Sequence, residues 1–390
     1  MRIAYVTETY PPEINGVSLT TERTVRHLRG AGHAVQLLRP RQAGEAACRT
    51  AQECRSTGGP IPMVPSLRYG WARAATLRAL WRQDGAVPDL VHVATPGPLG
   101  WAALSAARAE GIPTSADFRI NFHACCGHYG LGWLEPFVLG YLRRLHAMAD
   151  STVVATPELA SQLAAQGFER LQVLGRGVDS RLFSPERRDA GLRFDWRAQG
   201  NQSVLLHVGR LAPEKNAGLA LQTFERLRAR RPGLRMVVVG DGPMRAQLER
   251  AHPAVRFVGT QTGTALARHY ASADVFLFPS LTDTFGNVTL EALASGLSVA
   301  AFDTGAAGQH VRDGVNGCVT PPCEGMDAGD AFLRAATRAL DAAAPDGPLR
   351  QQARLTAAQA DWAGVHRRFE QLLLQLAAVD RTLPHHAALA

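Results

Sequence analysis

The chain has 390 residues, of which 46% are hydrophobic and 19% charged, with a formal net charge of +8. That length leaves room for two domains of ordinary size, each with its own core, and the composition excludes a disordered chain. No run of eighteen apolar residues occurs, which argues against a membrane-spanning helix. Met1–Val6 reads as a strand and not as a signal peptide, so a cytoplasmic location is expected.

Short apolar runs alternate with helix-length amphipathic segments, the pattern of parallel sheets wrapped by helices. In the first half, strands are expected at 3–7, 34–38, 90–93, 114–117, 152–155 and 171–174, with helices at 19–30, 98–110, 133–149 and 157–166. Residues 39–65 are rich in Gly, Pro, Ser and Cys without a period and read as a long loop. Segment 67–83 reads as a surface helix carrying Arg68, Arg73, Arg78 and Arg82 beside Trp71 and Trp81. Its arginines do not segregate from the apolar residues, so a membrane-facing helix and a half-buried one both remain open. The polar stretch 181–202 reads as a linker between a domain at 1–180 and a second at 203–358. In that second domain strands are expected at 204–208, 235–239, 256–258, 275–278, 298–301 and 318–319. A last helix at 360–379 falls in a C-terminal segment, 359–390. The fold class is therefore α/β, with two doubly wound, Rossmann-like sheets whose strand carboxyl ends would face a shared cleft.

The six cysteines (48, 54, 125, 126, 318 and 323) show neither a Cys-x-x-Cys pair nor zinc-ligand spacing, and reduced structural thiols are expected. The positive balance suits membranes, nucleic acid or phosphorylated small molecules. Arginines are spread through both halves with no aromatic-rich nucleic-acid pattern, so no nucleic acid partner is expected.

Lys215 is the single lysine of the chain, within Gly209-Arg210-Leu211-Ala212-Pro213-Glu214-Lys215-Asn216. An apolar strand (204–208) precedes it and a helix (217–230) follows. This strand–turn–helix start puts Arg210 and Lys215 where helix amides favour an anion. Arginine brings a planar fork and lysine a compact charge, a pairing suited to a diphosphate. A solvated surface lysine is the plainer alternative. A second constellation follows the strand at 275–278: Asp283, Phe285, Gly286, Asn287, Val288 and, eight positions after Asp283, Glu291. With a helix starting near Phe285–Gly286, Asp283 stands at its mouth and backbone amides at 285–288 face a ligand. If helical geometry holds from the loop onward, Glu291 lies about two turns deeper. An N-cap Asp and a buried, paired Glu would be the ordinary reading.

Arg210 with Lys215, then Asp283-x7-Glu291 with Phe-Gly and Glu-Ala-x-Ala-Ser-Gly, resembles the retaining family-4 glycosyltransferases of the GT-B fold. The matching features run from Thr7-Glu8-Thr9-Tyr10-Pro11-Pro12 to the last helix. The bacterial GDP-mannose-dependent α-mannosyltransferases are the branch it is most similar to, and the sulfolipid glycosyltransferases are close in pattern. The resemblance implies that Arg210 and Lys215 hold the donor diphosphate, Asp283 the transferred sugar and Glu291 the ribose. It further implies a donor-facing turn at Gly16, a nucleobase-facing backbone at Val258 and Gly259, and cleft-wall or ligand contacts from Arg176. It also implies that the domain at 1–180 binds the acceptor and the domain at 203–358 the nucleotide sugar, with a C-terminal helix that packs on the N-terminal domain.

Two positions depart from the family pattern. Asp283 stands where Glu is usual, one methylene shorter. In Asp117-Phe118-Arg119-Ile120-Asn121-Phe122-His123, Arg119 takes the place of a histidine beside the reacting centre. Arginine is no general base at neutral pH, so Arg119 and Asn121 are expected as sugar or acceptor contacts and the base stays unassigned, with His123 and His128 nearby. No two acidic residues stand two apart, so the Asp-x-Asp metal motif is missing, and metal-independent transfer without a cofactor is expected. The expected partners are a sugar nucleotide, a lipid or glycan acceptor, and an anionic membrane surface touched peripherally. A UDP-sugar donor, a sugar-nucleotide epimerase and a non-catalytic sugar-nucleotide binding module are the competing readings.

Overall fold

Every strand expected from an apolar run is present in the computed structural model. It describes all residues except 14, 62–63, 84, 86, 120–131, 281–282, 323–325, 345–346 and 379–390. Two compact units result. One holds the described residues of 1–120, 136–174 and 366–378, and the other those of 132–135 and 175–365.

The first unit carries an eight-stranded sheet: β1 (Arg2–Val6), β2 (Ala34–Pro40), β3 (Glu53–Ile61), β4 (Val64–Trp71), β5 (Leu90–Val93), β6 (Thr114–Phe118), β7 (Ser151–Val154) and β8 (Leu171–Val173). Their spatial order is β4-β3-β2-β1-β5-β6-β7-β8. All neighbours are parallel except the β3–β4 hairpin. Crossovers are made by α1 (Gly16–Gly30), α2 (Ala74–Gln83), α3 (Pro98–Ala109), α4 (Glu135–Ala147) and α5 (Pro157–Ala165). Central strands such as β1 and β5 are buried on both faces from Ile3 and Leu90 onward, which is why they read as nearly continuous apolar runs, interrupted in β5 only by the buried His92. Caps are placed where the sequence offers them: the Asn15 side chain accepts from Ser18 N–H at 2.8 Å, and Thr156 caps α5 with Pro157 in its first turn.

Two expectations fail here. Residues 39–65 are not a long loop, because β3 and the start of β4 form an edge hairpin within them. Only Cys54 of β3 is fully buried, so a half-solvated strand carries polar residues and glycines and leaves no apolar signal. Segment 67–83 is not one helix. Arg68 and Trp71 belong to β4, and α2 begins only at Ala74. Within α2, Leu77 and Trp81 face the core, while Arg78 and Arg82 grip Glu110 at 2.5 and 2.9 Å. Of the residues that made this segment a membrane candidate, Trp81 is thus buried and Arg78 and Arg82 are paired with Glu110, whereas Trp71 stays exposed.

The second unit holds a six-stranded parallel sheet: β9 (Val204–Val208), β10 (Arg235–Val239), β11 (Arg256–Phe257), β12 (Val275–Phe278), β13 (Ser298–Phe302) and β14 (Cys318–Thr320), ordered β11-β10-β9-β12-β13-β14. Its helices are α6 (Ala190–Asp195), α7 (Ala217–Arg230), α8 (Arg245–Ala251), α9 (Gly263–Ser272), α10 (Asn287–Ala294), α11 (Gly305–His310), α12 (Met326–Asp341), α13 (Pro348–Gln359) and the start of α14 (Trp362–Ala378). Leu205, Phe224, Met236, Leu277, Phe302 and Phe332 centre its core. Truncating one such phenylalanine costs about 3–5 kcal/mol. The polar stretch 181–202 is folded onto this unit: Arg188 and Arg193 each meet the nearly buried Asp274 at 3.0 Å, and Asp274 also accepts Val204 N–H at 2.9 Å.

Residues 366–378 of α14 belong to the first unit. There Phe369 packs edge-on against His92, and Glu370 reaches His33 at 2.9 Å and His27 at 3.2 Å. Cys48, Cys54 and Cys318 are free thiols, whereas Cys125, Cys126 and Cys323 lie outside the described residues. Among the described residues no helix is long and apolar enough to cross a membrane.

Candidate active site

In the second sheet the chain runs outward from β9 to β11, then returns to the other side of β9 with β12. The loops after β9 and β12 therefore flank the topological switch point, where doubly wound sheets bind ligands. The first of these loops carries Arg210 and Lys215 and the second carries Asp283. Three contacts stitch them together. Lys215 Nζ is ion-paired with Asp283 Oδ1, Asn216 Nδ2 donates to Pro279 O at 3.2 Å, and the Ser280 hydroxyl donates to Glu214 O at 3.3 Å. Asn216 adopts a left-handed conformation (φ +51°) between a short 3-10 turn and α7, which sets the angle at which Lys215 leaves the loop.

Arg210 is 41% exposed, with Glu214 as its nearest carboxylate at 3.8 Å. Its loop is held from below. Gly209 N–H donates to Val239 O at 3.0 Å and Leu211 N–H to Asp241 O at 2.9 Å. The β10 loop comes so close that a Cβ on Gly240 (φ +140°) would lie 1.9 Å from Gly209 O. Only glycine fits there.

The Asp283 side opens onto α10. Gly286 precedes the helix with φ +85° and as a glycine offers no side-chain cap, so among the described hydrogen bonds none ends on the Asn287 and Val288 amides. Phe285 is buried against His310, ring centroids 5.9 Å apart, and its carbonyl accepts Ala306 N–H at 2.5 Å. The helix starts at Asn287, not at the loop, so the carboxylates of Asp283 and Glu291 are not set by a shared helical register. Glu291 stands on α10 near the buried Tyr270; burial first, and then the Glu291 charge, hold that phenol well above 10.

His207 on β9 was visible in the sequence only as a polar break in an apolar run. It is fully buried, and its Nδ1 lies 3.0 Å from Leu277 O, so Nδ1 carries the proton and donates. Burial, helped by the Lys215 charge, lowers its pKa to about 4. The imidazole is neutral and props β9 against β12 beneath the paired loops.

The other expected residues are placed as follows. Val258 and Gly259 follow β11; Val258 O accepts Gln261 Nε2 at 3.0 Å, and Gly259 O accepts Gly240 N–H at 2.9 Å. Arg176 is buried in the second unit. Gly16 opens α1 in the first unit, behind the Asn15 cap. Arg119 turns inward there, bonded to Asp117 and, at 3.3 Å, to the Tyr5 hydroxyl; its guanidinium is engaged within the unit. Asn121, His123 and His128 lie outside the described residues.

Comparison with known proteins gives the family. Residues 14–182 match the family model described as Glycosyltransferase Family 4, and residues 202–341 match that for glycosyl transferases group 1. A GDP-mannose-dependent alpha-mannosyltransferase of Mycolicibacterium smegmatis is 36% identical over 347 residues, spanning 87% of this chain and 88% of that protein. Sulfoquinovosyl transferase SQD2 of Arabidopsis thaliana is 30% identical over 312 residues, 78% of this chain and 60% of that protein. In structure, the sucrose-phosphate synthase of Thermosynechococcus elongatus superposes with a TM-score of 0.80 at 18% identity, covering 97% of this chain and all of that one. With two Rossmann-like parallel sheets of the GT-B type and this similarity along both, the chain belongs to the family-4, group 1 glycosyltransferases and is a hexosyltransferase.

Proposed function

We propose that this glycosyltransferase moves mannose from GDP-mannose to a hydroxyl of a lipid or glycan acceptor, with retention at the anomeric carbon and without a metal ion. The observation that carries the reading is the Lys215–Asp283 pair at the switch point of the second sheet, beside Arg210 and the open start of α10. An ammonium has three donors. Asp283 takes one and fixes the direction of the others, which leaves two for diphosphate oxygens. Arg210 adds an exposed, planar fork, and the α10 amides add partial positive charge. As the glycosidic bond breaks, charge builds on the leaving diphosphate, and preorganised donors stabilise it most where it develops. These groups do the work a divalent cation performs in Asp-x-Asp transferases, and the first test of that point is turnover in excess chelator.

The mannosyl assignment follows the relatives named for GDP-mannose; a UDP-sugar donor is the alternative, and the sulfoquinovosyl relative is named for a different transferred sugar. Thermal shift with GDP against UDP separates them: GDP should stabilise the protein at concentrations where UDP does not, and the reverse order overturns the donor assignment. Proton NMR of the product tests retention, since an inverted anomer refutes it. Peripheral attachment to anionic membrane is our reading of the +8 charge. Failure to sediment with phosphatidylglycerol vesicles at low salt refutes it.

A further inference from the structure

The first sheet has a switch point too. The chain runs outward from β1 to β4 and returns beside β1 with β5, so the loops after β1 and β5 hold the position that the Lys215 and Asp283 loops hold in the second sheet. Glu8 lies there. It is 8% exposed, and its backbone N–H donates to Thr95 Oγ1, just after β5, at 2.8 Å. The described hydrogen bonds to its carboxylate end on one oxygen: Oε1 accepts Gly70 N–H of β4 at 3.1 Å and Leu99 N–H in the first turn of α3 at 3.0 Å. Oε2 turns against Gly97, where a Cβ would stand only 1.5 Å from it, so the carboxyl lies in a hollow that glycine alone permits.

Beside it is an aromatic platform. The Tyr141 ring of α4 stacks on Trp101 of α3 with centroids 5.3 Å apart, is 36% exposed, and its hydroxyl donates to Pro96 O at 2.8 Å. Burial, and then the Glu8 charge, push the Tyr141 phenol up to about 12, so it stays protonated. Burial likewise pushes Glu8 up to about 7, against the two N–H bonds that pull it down. Among the described residues, Tyr141 is the titratable group that feels the Glu8 charge, while Gly70, Thr95, Gly97 and Leu99 bring uncharged groups. A glutamine could accept the same two N–H bonds without the cost of burying a charge. A carboxylate kept at this cost, at a ligand-binding position and next to an exposed ring, fits a polyhydroxylated ligand.

We infer that Glu8 binds the acceptor: Oε2 takes a hydrogen bond from a hydroxyl of a sugar or glycerol acceptor whose C–H face lies on Tyr141. The inference deepens the glycosyltransferase reading and rests on it for the chemistry, but not on the identity of the donor.

Initial rates test it, using whichever of GDP-mannose and UDP-glucose protects the wild type in thermal shift. The acceptor probes are methyl α-D-mannopyranoside and dioleoylglycerol in phosphatidylglycerol vesicles, between pH 5.5 and 9; the probe that responds tells a free glycoside from a lipid glycerol. In Glu8→Gln the acceptor KM should rise at least about tenfold while the donor KM and nucleotide thermal shift stay within about twofold, as expected for the loss of one charge-assisted hydrogen bond. The wild-type acceptor KM should climb as pH falls through about 7, and that climb should vanish in the variant. Tyr141→Leu should also raise the acceptor KM, and it decides the matter if Glu8→Gln does not fold. The inference is overturned if acceptor KM is unchanged in both variants, if donor and acceptor KM rise together, or if a wild type that binds donor glycosylates neither probe.

Discussion

Lys215 and Asp283 are ion-paired although 68 residues separate them, because the β9 and β12 loops meet at the reversal of strand order. The pair defines how each can act. Lys215 is aimed by a carboxylate, and Asp283 is held by an ammonium.

Replacing Lys215 with alanine removes the only lysine and half of the pair. Transfer should fall by about 10²–10³ in kcat, the usual loss when one preorganised donor to a leaving group is deleted. The fold should persist, because the pair joins two surface loops and Asp283 keeps 18% of its side chain in solvent. Unchanged far-UV circular dichroism with greatly reduced turnover is the expected result. Near-normal turnover takes Lys215 out of the mechanism.

Asp283→Asn keeps the shape of the loop and removes the charge that orients Lys215. Its donor kcat/KM should drop and its preference for mannose over glucose donors should relax, while GDP affinity changes little. Calorimetric titration of GDP beside donor competition separates the two effects. GDP binding that falls as far as turnover refutes a sugar-facing role for Asp283.

How far these features were legible depends on where their causes lie. Strands such as Val204–Val208 and Leu90–Val93 were readable because burial on both faces demands a mostly apolar run, each broken by a single buried histidine. The Arg210–Lys215 turn was readable because a strand, a glycine and a helix start are local. The β3–β4 hairpin was not, since its outer face is solvated and Gly58 is there only because a Cβ would lie 2.0 Å from Tyr69 O. Glu8 stood in view within Thr7–Pro12, yet its burial depends on Gly70 and Leu99, 62 and 91 residues away. Arg119 was expected to reach a ligand; its pairing with Asp117 and Tyr5 is a tertiary fact with no sequence mark.

Gly240→Ala tests the support under Arg210. The new methyl would lie 1.9 Å from Gly209 O, at a φ of +140° that side chains avoid. Either the β10 loop or the Arg210 loop must move. Stability should fall by about 2 kcal/mol or more and transfer should weaken together with it. Urea denaturation alongside kinetics reads both; a variant of wild-type stability and rate shows that the close approach of the two loops is unimportant.

The pH dependence of stability carries two opposed contributions. His146 and His207 are buried and neutral, each lowered to about 4 from 6.5, chiefly by burial. Their contribution is complete above pH 6.5 and is lost as pH falls through about 4. Glu8 acts the other way: raised from 4.5 to about 7, it contributes stability below pH 4.5 that is lost as pH rises through about 7. Two histidines outweigh one carboxyl between pH 4.5 and 6.5, so these groups together place the stability maximum near pH 6.5. Glu8→Gln removes only the alkaline loss, so at pH 8 it should be more stable than wild type by roughly 3 kcal/mol, because each tenfold change in proton affinity on folding is worth about 1.4 kcal/mol. The difference should shrink toward zero by pH 4.5. Urea unfolding of both proteins at pH 4.5, 6.5 and 8, followed in the transition of the first unit, measures it. Parallel curves across that range would show that Glu8 titrates like an ordinary surface carboxylate, and the cost of holding it at the β1–β5 switch point would be nil.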